Sequence, residues 1–207
     1  MKDVLSEISR WRHRGDRIAI ATVIDVKRSV PRAPGSKMAV SETGEIAGGV
    51  SGGCVEGAVV ELAEQVLAGA PPQLVHFGIA DSEAWDVGLP CGGEIDVWIQ
   101  AYATGRLEQV ARGDGRAAEV TLLEGASPGA KLLIEADGAR SGSLGTSELD
   151  AEGTRAAREL LWSDTSERRG PLFVAPRRLR RACRPGGDDR CRPAAAARRA
   201  PVVRRLR

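Results

Sequence analysis

The order of apolar and polar positions predicts alternating helices and strands over the first two thirds of the chain. Residues 2–14 place apolar side chains at helical spacing, whereas residues 17–27 form a nearly continuous apolar run rich in β-branched residues. The first pattern is typical of an amphipathic helix and the second of a strand buried on both faces. Residues 37–41 and 45–47 flank a Glu-Thr-Gly turn and predict a hairpin.

The same analysis continues to residue 162. Apolar spacing predicts a helix over 54–68, which Gly69 and the prolines at 71 and 72 end. Further strands are predicted over 73–79, 94–101, 118–123 and 130–134, with a short helix over 107–111 and a closing helix over 147–162. These elements predict an α/β fold, in which a mixed sheet is flanked by helices.

Composition and charge divide the chain near residue 167. Residues 168–207 contain 14 arginines against two aspartates, whereas residues 1–167 contain 16 basic and 26 acidic residues. A segment so rich in arginine and proline, without apolar periodicity, cannot bury enough surface to offset its ordering entropy. We therefore expect a folded domain over residues 1–166 and a disordered tail over residues 167–207.

Two glycine-rich runs, each with one cysteine, carry the candidate chemistry. The first is Gly48-Gly49-Val50-Ser51-Gly52-Gly53-Cys54-Val55-Glu56-Gly57, and the second is Gly88-Leu89-Pro90-Cys91-Gly92-Gly93. Cys54 comes just before a predicted helix, where backbone amides and the helix dipole favour an anion or a thiolate. Glu56 is interpreted either as a charge that stabilises the helix start or as a ligand contact.

A stiffened cationic loop precedes the first run. Residues 28–37 combine two prolines and a glycine with three cations, of which Arg32 and Lys37 are candidate phosphate partners. The predicted hairpin would place this loop close to the glycine run.

Three segments, 29–38, 50–57 and 85–93, together resemble the N-terminal domain of the XdhC/CoxI family. Members of that family are accessory proteins of molybdoenzymes of the xanthine dehydrogenase and carbon monoxide dehydrogenase type. The resemblance implies a protein that binds the molybdenum cofactor, supports its sulfuration and inserts it into the apo-enzyme. Such a chaperone needs no catalytic turnover.

The resemblance also implies roles for individual residues. Cys54 and Cys91 would be the molybdenum ligands or would guard the terminal sulfur, because soft thiolates suit a soft metal. The amides of Ser51, Gly52, Gly53, Gly92 and Gly93 would approach the pterin phosphate, as backbone nests bind anions. The implied partners are an apo-molybdoenzyme, a cysteine desulfurase and a second copy of the chain.

The chain departs from the family pattern after residue 176. Full-length members resemble a two-domain layout with a Rossmann-like second domain, whereas the arginine-rich tail here contains no Gly-x-Gly-x-x-Gly. We interpret the tail as an out-of-frame or truncated remnant of that domain.

Two other functions are considered. One is a cysteine-dependent sulfur transferase or oxidoreductase that acts on the cofactor. The other is nucleic-acid binding through the tail, which ranks low because the tail has no interleaved aromatic residues and no folded motif. No signal-peptide pattern and no run of about 20 apolar residues occurs in the sequence, so we expect a cytoplasmic protein without a membrane span.

Overall fold

The computed structural model describes residues 2–78, 92–103 and 115–179. Its elements are α1 (Lys2–Arg14), β1 (Ile18–Lys27), β2 (Lys37–Ser41), β3 (Ile46–Gly48), α2 (Glu56–Leu67), β4 (Gln73–Phe77), β5 (Glu94–Ala101), β6 (Gly115–Leu122), β7 (Lys131–Glu135), β8 (Arg140–Ser143), α3 (Ser147–Leu160), β9 (Glu167–Arg169) and β10 (Leu172–Leu179). The predicted α/β class is confirmed. The predicted helix at 107–111 lies outside the described residues.

The strands form two five-stranded sheets. The first has the order β3-β2-β1-β5-β4 and the second the order β8-β7-β6-β10-β9. The strand pairs within each sheet are antiparallel. The strands expected in one mixed sheet are therefore divided between two antiparallel sheets, because apolar patterning identifies a strand but not its partner.

Both faces of the first sheet are covered. Ala19, Ala21 and Val23 of β1 pack beneath α2, in a core cluster that also contains Val59 and Ala63 of that helix. On the opposite face, α1 covers one end of the sheet through a second core cluster. The second sheet covers the other end. This double coverage confirms the prediction that β1 is buried on both faces.

The second sheet contacts the first through a mainly apolar cluster. Ile24 and Trp98 of the first sheet pack against Leu123, Phe173 and Ala175 of the second. The far face of the second sheet packs against α3. The described elements therefore stack as helix, sheet, sheet and helix, with α1 beside the second sheet.

The predicted start of the tail at residue 167 is corrected by β9 and β10. Leu172, Phe173, Val174 and Ala175 are buried, and β10 lies between β6 and β9 in the second sheet. The prediction was wrong here because the many arginines around this short apolar run dominate the local composition, which therefore did not indicate a core strand. Arg177 at the end of the run donates to the buried Glu119 at 2.8 Å, so its charge is compensated inside the fold. Residues 180–207 lie outside the described part of the chain.

Among the described residues, no helix combines the length and the apolar character that crossing a bilayer requires.

Candidate functional site

The first glycine run connects β3 to α2 as a tight turn. Gly52 and Gly53 have φ angles of 96° and 119°, which residues with a side chain rarely adopt. The helix begins at Glu56, so Cys54 lies two residues before it. The predicted position of this cysteine near a helix start is confirmed.

The carboxylate of Glu56 folds back over the run and binds its amides. Oε1 accepts from the backbone N–H groups of Val50, Ser51 and Gly52 at 3.0, 2.8 and 3.0 Å. Oε2 accepts from the amide of Gly53 at 2.8 Å and from the hydroxyl of Ser51 at 2.5 Å. Burial by itself raises the pKa of Glu56, but these hydrogen bonds outweigh it and lower that pKa to about 2.

This arrangement changes the interpretation of the glycine amides. Gly52 and Gly53 were expected to offer their amides to a phosphate, yet both amides already donate to the carboxylate of Glu56. A phosphate that bound there would have to displace a charged internal acceptor. The structure thus gives Glu56 a role in stabilising the loop before the helix, which differs from both the helix-start charge and the ligand contact that the sequence left open.

Ser51 fixes the backbone at the cysteine. Its side chain is fully buried, and its hydroxyl oxygen accepts from the amides of Cys54 and Val55 at 3.0 and 3.1 Å. The thiol of Cys54 is free and partly buried, and its side chain packs against the core beneath α2. A thiol held on such a fixed backbone can act as a nucleophile or as a soft ligand.

The cationic loop lies against the glycine run. A Cβ atom built on Gly52 would lie 3.7 Å from the ring of Pro31, and one on Gly49 would lie 3.9 Å from Nη2 of Arg32. The prediction that the hairpin places this loop near the run is therefore confirmed, and Arg32 lies at the run.

The same loop contacts the end of the second glycine run. A Cβ atom on Gly93 would lie only 2.6 Å from the carbonyl oxygen of Ser29 and from Cγ2 of Val30. Nη1 of Arg28 lies 3.4 Å from the carbonyl oxygen of Gly92. Residues 28–32 therefore contact both the first glycine run and Gly92 and Gly93 at the end of the second run, whereas residues 88–91, Cys91 among them, lie outside the described residues.

Arg28 is the functional candidate that sequence reasoning missed. It is the one non-glycine residue of the described chain with a positive φ, 62°, and its side chain forms an ion pair with Glu94 at 3.5 Å. Side chains are rarely tolerated in this region, and such outliers cluster at functional sites. No pattern in the sequence distinguishes Arg28 from an ordinary loop cation.

The side chain of Lys37 points away from the glycine run. Lys37 is the first residue of β2, and its ammonium donates to the hydroxyl of Thr22 at 2.8 Å, on the face that meets the second sheet. Burial and then the charge of Arg177 lower the pKa of Lys37 to about 7, against the opposing effect of Glu119. The structure therefore separates Lys37 from Arg32, because alternation along β2 directs its side chain to the other face.

Three comparisons with known proteins bear on this site. Residues 11–78 match the model of the XdhC and CoxI family. The chain is 32% identical over 100 residues to uncharacterized protein YqeB of Escherichia coli (strain K12), which covers 48% of this chain and 18% of YqeB. It is 33% identical over 86 residues to the molybdenum cofactor insertion chaperone PaoD of the same organism, which covers 41% of this chain and 26% of PaoD.

The chain thus matches only about a fifth to a quarter of the length of these relatives. A solved structure described as a xanthine dehydrogenase from Bacillus halodurans matches this chain with a TM-score of 0.64 and 18% identity. The match covers 84% of this chain and 52% of the Bacillus halodurans chain. At that identity the likeness shows the fold alone. The match at residues 11–78 contains the motifs at 29–38 and 50–57, so this part of the chain is similar to the XdhC and CoxI family.

Proposed function

We propose that this chain is an accessory protein that binds the molybdenum cofactor and delivers it to an apo-molybdoenzyme of the xanthine dehydrogenase type. The observation that carries the proposal is that residues 28–32 contact both the first glycine run and Gly92 and Gly93, the described end of the second run. The similarity to PaoD, a molybdenum cofactor insertion chaperone, supports the same role.

The residues of the site suit such a cargo in their chemistry. Cys54 supplies a soft thiol, and the guanidinium groups of Arg28 and Arg32 supply positive charge on the covering loop. A cofactor that carries a soft metal and a phosphate needs both kinds of group. Since the amides of Gly52 and Gly53 are bound by Glu56, we assign the phosphate to the arginines.

The experiment is to measure the molybdenum and pterin content of the full chain purified after expression with an active cofactor pathway. Cys54→Ser and Cys91→Ser should each lower the content several-fold, whereas Cys183→Ser, in the arginine-rich tail, is the matched control and should not. Equal retention by all of these variants would remove the thiols from the mechanism.

The roles in sulfuration and in partner recruitment are part of the proposal. A persulfide trapped on Cys54 by mass spectrometry would favour sulfur transfer over simple protection of the cofactor. Affinity capture with an apo-molybdoenzyme and with a cysteine desulfurase would identify the partners, and light scattering would test for a homodimer. Fractionation of cells would test the cytoplasmic location.

A further inference from the structure

A cleft of about 550 Å³ opens between the two sheets, beside the cationic loop of residues 28–37. Its apolar wall includes Ile24, Pro34 and Pro171, and its polar wall includes Asp25, Ser166 and Glu167. The cationic loop borders both the cleft and the first glycine run, because Pro34 lines the cleft while Pro31 lies against the run.

A β-bulge directs Asp25 into this cleft. The pairing of β1 with β5 shifts from Val23 opposite Val97 to Asp25 opposite Asp96, which leaves Ile24 as the extra residue. Val23 before the bulge and Val26 after it both pack into the core beneath α2. Strict alternation would have placed Asp25 in that apolar core, so the bulge turns its carboxylate to the cleft.

The bulge also sets two carboxylates opposite each other. Asp25 and Asp96 are cross-strand partners, and like charges in that position are destabilising. Asp96 forms an ion pair with Arg168 at 3.0 Å, and Nδ1 of His76 lies 2.7 Å from its carboxylate. Asp25 accepts one hydrogen bond, from the amide of Val26 at 2.9 Å, and none of the residues in the described ranges forms an ion pair with it.

We propose that the cleft binds a 2-amino-4-oxopyrimidine ring, the ring shared by pterins and guanine, through the carboxylate of Asp25. The amino group and the adjacent ring N–H of that ring point in parallel, and a carboxylate accepts two such donors at once. Pro34 and Pro171 offer apolar contact for the flat ring, as ligand sites usually do. The pterin as natural ligand rests on the proposed function, whereas recognition of the ring does not.

The test is fluorescence titration of the full chain with 6-hydroxymethylpterin, with calorimetric titrations of guanosine and adenosine alongside. Asp25→Asn should weaken pterin binding about tenfold or more, because a hydrogen-bonded charge is lost. Glu61→Gln is the matched control, since this exposed residue of α2 lies on the far side of the first sheet and its replacement should leave the affinity unchanged. Thermal melting should show Asp25→Asn to be at least as stable as the parent, because the repulsion from Asp96 is relieved.

Binding of pterin and guanosine but not adenosine would support the shared ring, and binding of pterin alone would identify the pterin as its source. Unchanged affinity in Asp25→Asn, or no binding of either ring, would overturn the inference. The proposed function fails separately: a chain that binds 6-hydroxymethylpterin but never retains molybdenum would refute the cargo and leave the cleft intact. Molybdenum retention that depends on Cys54, without any pterin binding in the cleft, would refute the cleft and leave the proposed cargo intact.

Discussion

Glu56→Gln should destabilise the protein and remove part of its sensitivity to acid. The carboxylate of Glu56 accepts five hydrogen bonds from the glycine run, four from amides and one from the hydroxyl of Ser51. A glutamine has one oxygen and one NH₂ group, so its nitrogen would meet donors where the carboxylate accepts. The buried backbone at Val50 and Ser51 would then lose good partners.

The magnitude follows from the pKa of Glu56. A fall from 4.5 to about 2 corresponds to roughly 3 kcal/mol of stabilisation at neutral pH. Because part of the group is exposed, solvent screening reduces this figure, and we expect about 2 kcal/mol. In a chain of this size that loss should lower Tm by roughly 4–8 °C.

The assay is urea denaturation from pH 7 to pH 2. A carboxylate with a lowered pKa in the folded state stabilises the protein above the unfolded value of 4.5, and this stabilisation is lost as the pH falls towards about 2. The parent should therefore lose stability over that range more steeply than Glu56→Gln. The two curves should converge near pH 2.

Glu61→Gln is the matched control, because it removes the same charge from the exposed face of α2 and should change the free energy of unfolding by less than about 0.5 kcal/mol. The reasoning is refuted if Glu56→Gln is as stable as Glu61→Gln at pH 7, or if it keeps the full acid sensitivity of the parent.

Two further predictions test the packing of the loop and the contact between the sheets. Gly93→Ala should lower the free energy of unfolding by about 2 kcal/mol or more, because its Cβ atom would overlap Ser29 and Val30 at 2.6 Å. Gly57→Ala is the control and should be neutral or stabilising, because a Cβ atom there has nothing within 4 Å. Equal melting temperatures of the two variants would contradict this prediction. Lys37→Met should flatten the rise in the free energy of unfolding between pH 7 and 10. A lysine with a folded pKa of about 7 contributes up to about 1.4 kcal/mol of this rise per pH unit, because over this range it is neutral in the folded protein and charged in the unfolded chain. If denaturation of parent and variant gives parallel curves of this free energy against pH, the lowered pKa is excluded.

The helices and strands of the first sheet could be predicted from sequence because their signals are local. The apolar spacing of α1, the continuous apolar run of β1 and the strict alternation of β5 each depend on a few neighbouring residues. The hairpin and the helix start after Cys54 were predicted for the same reason. Strand β10 was missed because four buried residues, Leu172 to Ala175, stand among arginines that dominate the local composition.

The candidate site was only partly predictable. Glycine and cysteine spacing identified Cys54, Ser51 and Glu56, but not that Glu56 would occupy the amides of the glycine run. That outcome depends on where a turn with positive φ aims its N–H groups. Arg28 gave no signal, since its contact with Gly92 joins residues 64 positions apart.

The sequence by itself determined the local elements, the two cysteine-bearing glycine runs and the similarity of residues 11–78 to the XdhC and CoxI family. Only the tertiary structure decided that the strands form two sheets, that the side chains of Lys37 and Arg32 lie in different places, and that Asp25 enters a cleft. The physical reason is that periodicity records which residues are buried, whereas strand partners, a bulge at Ile24 and inter-sheet charges are set by contacts between distant segments.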